Sequence, residues 1–204
     1  MSLKEKIAGE LNHFLKIMNQ KEAGLPDKTL SDKEKKHSIS LLRVNASGEV
    51  AAQALYRGQA FFAKSDKVKK HLLKAGDEEH QHLVWCSKRL DELGGKKSIL
   101  DPFYYAGSFA LGSIAGLISD KASLGFIEET EKQVVEHLQG HLDEMSVNDK
   151  ESRKILQKMI DEEEAHGQEA KDFGSEELPE AIKVLMKVTA KSVSYTHLTL
   201  PTMS

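Results

Sequence analysis

Apolar residues recur every three or four positions along most of this chain, the period of α-helices packed along one face. Leu3, Ile7, Leu11, Leu15 and Met18 open the series and predict an amphipathic N-terminal helix with a Lys/Glu outer face. The loop Gly24-Leu25-Pro26-Asp27 follows. Ser31 and Glu34 have the form of a capping box, and the helix behind them extends to about Lys64. Its inward stripe reads Leu42, Ala46, Glu49, Gln53, Tyr56 and Ala60. Ser65-Asp66 starts a second long helix, which Gly94-Gly95 stops after Leu93. Asp101-Pro102 opens a further segment, and a third bundle helix carries Ile127 to Leu142. Asn148 with Glu151 caps a fourth, ending near Phe173 ahead of Gly174. Pro179 lies in the first turn of a last helix that reaches about Lys191. The expected fold is all-α: one domain over residues 1–191, with a four-helix bundle core at about 32–173. An amphipathic N-terminal helix and additional apolar and C-terminal helices surround that core.

Composition narrows the picture. A chain of 204 residues, 30% charged and 39% hydrophobic, is long enough to bury a substantial core and polar enough to stay soluble. The net charge of −3 is nearly balanced, and no basic stripe with interleaved aromatics points to nucleic acid. A single cysteine, Cys86, excludes an intrachain disulfide and suits a reducing compartment. It sits in Leu83-Val84-Trp85-Cys86 and reads as a small packed hydrophobe. The N-terminus lacks a signal-peptide pattern, and Glu5 and Glu10 do not suit a transit peptide. Residues 192–204 contain no Lys, Arg, Asp or Glu, are foreign to the rest and carry no weight for the fold.

The chemistry is concentrated in a few acids and histidines. Two Glu-x-x-His pairs, Glu79 with His82 and Glu163 with His166, each follow a single Glu by about a helix and a turn. On a helix, residues i and i+3 lie about 60° apart, so each pair can grip one ion. Glu49 supplies the first single acid: Asn45-Ala46-Ser47-Gly48-Glu49-Val50-Ala51-Ala52 holds no other charge. A carboxylate among small residues is costly without compensation, and a metal compensates it. Glu129 supplies the second, with Glu128 and Glu131 competing on other faces. Two Glu and two Glu-x-x-His contributions make the ligand set of a carboxylate-bridged di-iron or di-manganese centre in a four-helix bundle. Asp77 with His80 forms a rival pair, but His82 leads directly into an apolar run. His137 and His141, at i and i+4, have a spacing that zinc also accepts, and they read as outer or surface groups. Glu136, two turns beyond Glu129, is a candidate outer support.

Further segments carry a family resemblance. They are Arg43-Val44-Asn45-Ala46-Ser47-Gly48-Glu49 with Tyr56-Arg57-Gly58-Gln59, Glu79 to Cys86, Tyr105 to Gly112, Asp120 to Phe126, and Glu163-Glu164-Ala165-His166. Over Leu41–Lys191 the chain resembles the bacterial form of the di-iron demethoxyubiquinone hydroxylases, ferritin-like monooxygenases of ubiquinone biosynthesis. The resemblance implies six ligands to two Fe2+ ions: Glu49, Glu79, His82, Glu129, Glu163 and His166. It implies Glu129 rather than Glu128. It further implies a polyprenyl benzoquinol substrate, dioxygen as oxidant, and electrons from the quinol or from NADH. Peripheral attachment to the cytoplasmic face of the bacterial inner membrane and contact with other ubiquinone-synthesis proteins belong to the same picture. One departure is Asn45-Ala46-Ser47-Gly48, where many relatives have Asp-His-Ala-Gly.

Pro102–Ser119 is uncharged over its whole length. It reads as a bundle helix packed through small residues, as a surface that dips into a bilayer, or as a short span. The expected activity is that of a 3-demethoxyubiquinol 3-hydroxylase. A ferritin- or rubrerythrin-like iron oxidase or store is the main rival, and a non-catalytic scaffold the second.

Overall fold

The computed structural model describes residues 2–21 and 24–199, with side chains through Lys191. Among these the chain forms seven helices and no strand. They are α1 (Leu3–Asn19), α2 (Asp32–Phe62), α3 (Asp66–Glu92), α4 (Asp101–Ile118), α5 (Asp120–Glu144), α6 (Lys150–Asp172) and α7 (Glu180–Thr199).

Local chemistry sets the ends. Ser31 and Glu34 close the expected capping box at α2, each side chain meeting the other's backbone N–H. Helix α3 stops in a Schellman turn: Gly95 N–H bonds Leu90 O at 2.7 Å, and Gly94 takes φ +79°, a left-handed value that suits glycine. Gly174, φ +92°, closes α6 in the same way. Three boundaries differ from the sequence reading. Helix α5 begins at Ser119, whose hydroxyl accepts from Ala122 N–H, well ahead of Ile127. The cap of α6 is Asp149, accepting from Ser152 N–H, not Asn148. Ser65 makes no side-chain cap. The backbone of α7 runs past Lys191 to Thr199, and residues 200–204 of the foreign tail lie outside the described residues.

Helices α2, α3, α5 and α6 make the bundle. Tyr56 pairs with Glu131 and Asn45 with His141, so α2 and α5 run antiparallel. Cys86 meets Met159 and Arg89 meets Ser152, so α3 and α6 do too. Helix α4 is the long crossover between the halves and runs parallel to α2. It packs through glycine: a Cβ on Gly112 would strike the Leu55 carbonyl, and one on Gly116 would lie 2.7 Å from Gln59 O. One face of α4 is thus sealed against α2. The other leaves Phe103, Leu111, Ile114, Leu117 and Ile118 exposed. No helix of the described residues is long and apolar enough to cross a membrane.

The inward stripe of α2 is as the pattern predicts: Leu42, Ala46, Glu49, Gln53, Tyr56 and Ala60 are all buried. Cys86 is fully buried, its Sγ 3.7 Å from Met159 Sδ. At one end of the bundle, buried Arg89 ties Asp27 and Asp149, both at 2.7 Å, to Glu92 at 3.0 Å. The expectation for α1 is corrected on one point. Lys4, Glu5 and Lys16 are exposed as expected, but so are Leu3, Ile7, Leu11 and Leu15 of the apolar series, while Ile17 is buried and Glu10 pairs with Arg57 at 2.7 Å.

Candidate metal centre

Halfway along the bundle, four helices bring acids and imidazoles to one point. Two quartets form. Glu49, Glu79, His82 and Glu163 make one; Glu79, Glu131, Glu163 and His166 make the other, with ligand atoms within 4.8 Å of one another in each. Glu79 and Glu163 belong to both, which is the position of a bridging carboxylate. His82 Nδ1 lies 2.9 Å from Glu163, 3.3 Å from Glu79 and 3.7 Å from Glu49. His166 Nδ1 lies 2.8 Å from Glu163 and 3.5 Å from Glu79. The imidazole rings are 6.1 Å apart.

Five of the six sequence-derived candidates meet here; Glu129 does not. Residues two positions apart on a helix differ by about 160° in direction, so Glu129 and Glu131 face nearly opposite ways. Glu131 is 1% exposed and joins the second quartet. Glu129 lies half-buried beside α7 and accepts from Gln133 Nε2 at 2.6 Å. Glu128 accepts from the Ser175 hydroxyl. A signal for Glu131 was present: Leu124, Ile127, Glu131 and Leu138 fall on the stripe that α5 buries. Asp77 is exposed, which removes the rival pair with His80. Glu136 is exposed and bonds Lys187 at 3.1 Å, so it is not a support of the site.

Four buried carboxylates carry four negative charges when ionised, the amount two divalent cations cancel. Without such ions the groups strain against one another. Burial, together with the charges of Glu163 and Glu79, holds the Glu131 carboxyl well above its usual range. Burial does the same to Glu49. Burial also disfavours an ionised Glu79, but the bonds from His166, His82 and Glu49 outweigh it and pull that carboxyl down. Burial works against charging His166, yet Glu163 and Glu79 raise it to about 11. Glu79 Oε1 and His82 Nδ1 remain buried without an aligned hydrogen-bond partner. This donor set, imidazole and carboxylate with unmet polar atoms, fits iron or manganese.

Three supports were not foreseen. His82 Nε2 lies 2.8 Å from Glu162, and His166 Nε2 lies 3.4 Å from Glu78. Each remote nitrogen therefore meets the acid that precedes the opposite helix's ligand, an arrangement that fixes ring orientation and basicity. Tyr56, fully buried, donates its hydroxyl to Glu131. His141 Nδ1 donates to Asn45 Oδ1 at 2.7 Å, and the ring of His137 sits 3.9 Å from that of His141. Neither histidine joins a quartet.

A cavity of about 870 Å³ ends on this cluster. Glu49, Glu79, Glu131 and Glu163 form part of its wall. The rest is largely apolar: Ala51, Ala52 and Leu55 from α2, Leu111 and Ile114 from α4, Val134 and Leu138 from α5, Ile182 and Leu185 from α7. Asn45 and His137 supply polar edges, and the buried Asn45 Nδ2 has no partner.

The family model for ubiquinone biosynthesis protein COQ7 matches residues 36–196, leaving α1 ahead of it. The 3-demethoxyubiquinol 3-hydroxylase of Francisella philomiragia subsp. philomiragia is 51% identical over 169 residues, 83% of this chain and 80% of that protein. Its namesake from Francisella tularensis subsp. novicida is 50% identical over 165 residues, 81% and 78% of the two chains. A solved structure of the bacterioferritin-related protein from Bacteroides fragilis, a dodecameric thioferritin, superposes with a TM-score of 0.56. It covers 91% of this chain and 98% of that one at 16% identity, a likeness of fold alone: the bundle is ferritin-like. With a family match over most of its length and half of the aligned residues identical to such relatives, the chain belongs to the ubiquinone biosynthesis protein COQ7 family.

Proposed function

We propose that this chain is a 3-demethoxyubiquinol 3-hydroxylase using two iron ions and dioxygen. One observation carries the reading: a large, mostly apolar cavity that terminates on a buried cluster of four carboxylates and two imidazoles. The activity for which the relatives are named supports it. The overall change replaces a ring C–H by C–OH. The second oxygen atom leaves as water, taking two electrons and two protons from a reductant such as the quinol or NADH.

Glu49, Glu79 and His82 would hold one ion, and Glu131 and His166 the other, with Glu163 and Glu79 shared. Such a pair supplies dioxygen activation, chemistry that no protein side chain performs. The protein's own work is positional. Glu162 and Glu78 keep the two imidazoles oriented. Tyr56 holds Glu131 in place. Ala51, Ala52, Leu55, Val134 and Leu138 exclude water around the ring. Asn45 Nδ2 is free to donate to a ring oxygen, with His137 beside it.

The polyprenyl tail must stay in lipid, so the protein works peripherally on the cytoplasmic face of the bacterial inner membrane. The exposed apolar side of Pro102–Ser119 supports that contact. An iron store needs no organic cavity, which disfavours the rival reading. Incubating the iron-loaded protein with a short-tail demethoxy quinol, reductant and oxygen should yield the hydroxylated ring by mass spectrometry. Glu163→Ala should yield none; product from a metal-free Glu163→Ala protein would refute the assignment.

A further inference from the structure

Helix α1 lies outside the family match, and its exposed aliphatic line has no task in ring hydroxylation. Leu3, Ile7, Leu11 and Leu15 are 63%, 54%, 56% and 46% exposed. The contacts of α1 fix which way that line points. His13 feels the charge of Arg57 and His80, Glu10 bonds Arg57 on α2, and Phe14 meets Tyr105 on α4 edge-on at 5.0 Å. At about 100° per residue these three follow one another around the helix, from α3 past α2 to α4. Continuing the same rotation, Ile7, Leu11 and Leu15 come about 20°, 60° and 100° beyond Phe14, with Leu3 about 20° before it. The bare line therefore lies on the α4 side. There it adjoins Phe103, Leu111, Ile114, Leu117 and Ile118, the uncharged outer side of α4. Two helices share one apolar plane.

We propose that α1 is a second docking helix for the surface of an anionic phospholipid bilayer, lying beside α4 in the interfacial plane. Two observations favour lipid over a second copy of the chain. Leu111, Ile114 and Ile118 are both exposed and part of the cavity wall, so the cavity opens onto this plane. A protein partner seated there would close the mouth, whereas a bilayer would receive a prenyl tail. The helix's charges suit anionic headgroups: Lys4 and Lys16 are exposed, while Glu10 is paired with Arg57 and Glu5 with the Ser2 N–H. The role of the mouth rests on the proposed function; the exposure and direction of the ridge do not.

The test is flotation of the full, iron-loaded chain with vesicles of phosphatidylethanolamine and phosphatidylglycerol. It compares wild type with Ile7→Glu, Leu11→Glu and the double variant. Each single change should weaken binding about tenfold and the double about a hundredfold, with vesicle binding of wild type falling as salt rises. Helix content and turnover of a short-tail quinol should stay as in wild type, since neither residue touches the cavity. Vesicle binding by the double variant equal to wild type overturns the proposal. So does a double variant that binds vesicles normally but loses an oligomer in sedimentation velocity, which would make the ridge a protein interface. Ridge-dependent vesicle binding without quinol hydroxylation leaves α1 docking intact and removes the hydroxylase reading instead.

Discussion

Replacing Glu131 by Gln should push the metal-free and metal-loaded proteins in opposite directions. Gln keeps the shape of the side chain and an oxygen for the Tyr56 hydroxyl, but carries no charge. In the metal-free protein Glu131 is buried within 4.8 Å of the ligand atoms of Glu79 and Glu163. Two unit charges at that separation repel by about 3.5 kcal/mol at an effective dielectric of about 20. Retaining a proton relieves part of that, which is why burial and its two neighbours hold the Glu131 carboxyl well above the usual 4.5. A carboxyl raised in the fold keeps its proton while the unfolded chain loses it, so folding stability falls as pH climbs above about 4.5. Glu131→Gln removes that loss. Metal-free stability should rise by roughly 1–3 kcal/mol at pH 7, or roughly 3–10 °C in melting temperature, and the gain should shrink toward pH 4.5. The loaded protein should retain about one iron per chain rather than two, because one quartet loses an anionic ligand. Scanning calorimetry of chelated protein and metal analysis after anaerobic reconstitution read the two halves. Glu129→Gln, outside both quartets, should change neither. Loss of an iron in Glu129→Gln, with both retained in Glu131→Gln, would refute the assignment of α5's acid.

Glu162→Gln should weaken iron binding roughly 10–100-fold in competition with a chelator while leaving the melting curve of the metal-free protein in place. Gly112→Ala drives a Cβ into the Leu55 carbonyl, so calorimetry should show a loss of about 1–3 kcal/mol as α4 is pushed from α2. Hydrogen bonds from Thr29, aided by Arg89, hold Asp27 at about 2, below its usual 3.8. Its contribution is therefore complete above about pH 3.8 and is lost as pH falls toward 2, and Thr29→Ala should flatten that part of an acid-unfolding profile.

Much of the bundle was legible because burial forces a period on the sequence. The stripe from Leu42 to Ala60 on α2 contained Glu49, and a lone acid inside a buried stripe is costly to ionise unless a cation lies nearby. The two Glu-x-x-His pairs were legible for the same reason. The run Glu128-Glu129-Thr130-Glu131 was not, since each acid suits some helix face and motif likeness favoured Glu129, which lies outside both quartets. Counting from Leu124 and Ile127, whose burial continues to Leu138, would have chosen Glu131. Helix α1 misled because periodicity reveals that a face is apolar but not whether protein covers it. Its neighbours Arg57 and Tyr105 come from distant parts of the chain, and they turn Glu10 and Phe14 inward. Glu78 and Glu162 were equally hidden: each serves a histidine on the other helix, a relation no single segment displays.

Because Glu79 and Glu163 are common to both quartets, the two ion positions cannot be filled as strangers. The first cation to arrive must draw both shared carboxylates toward itself and set their rotamers for the second. Titrating the chelated protein with ferrous ion should then give a sigmoidal curve, with the half-loaded species scarce, rather than two independent saturations.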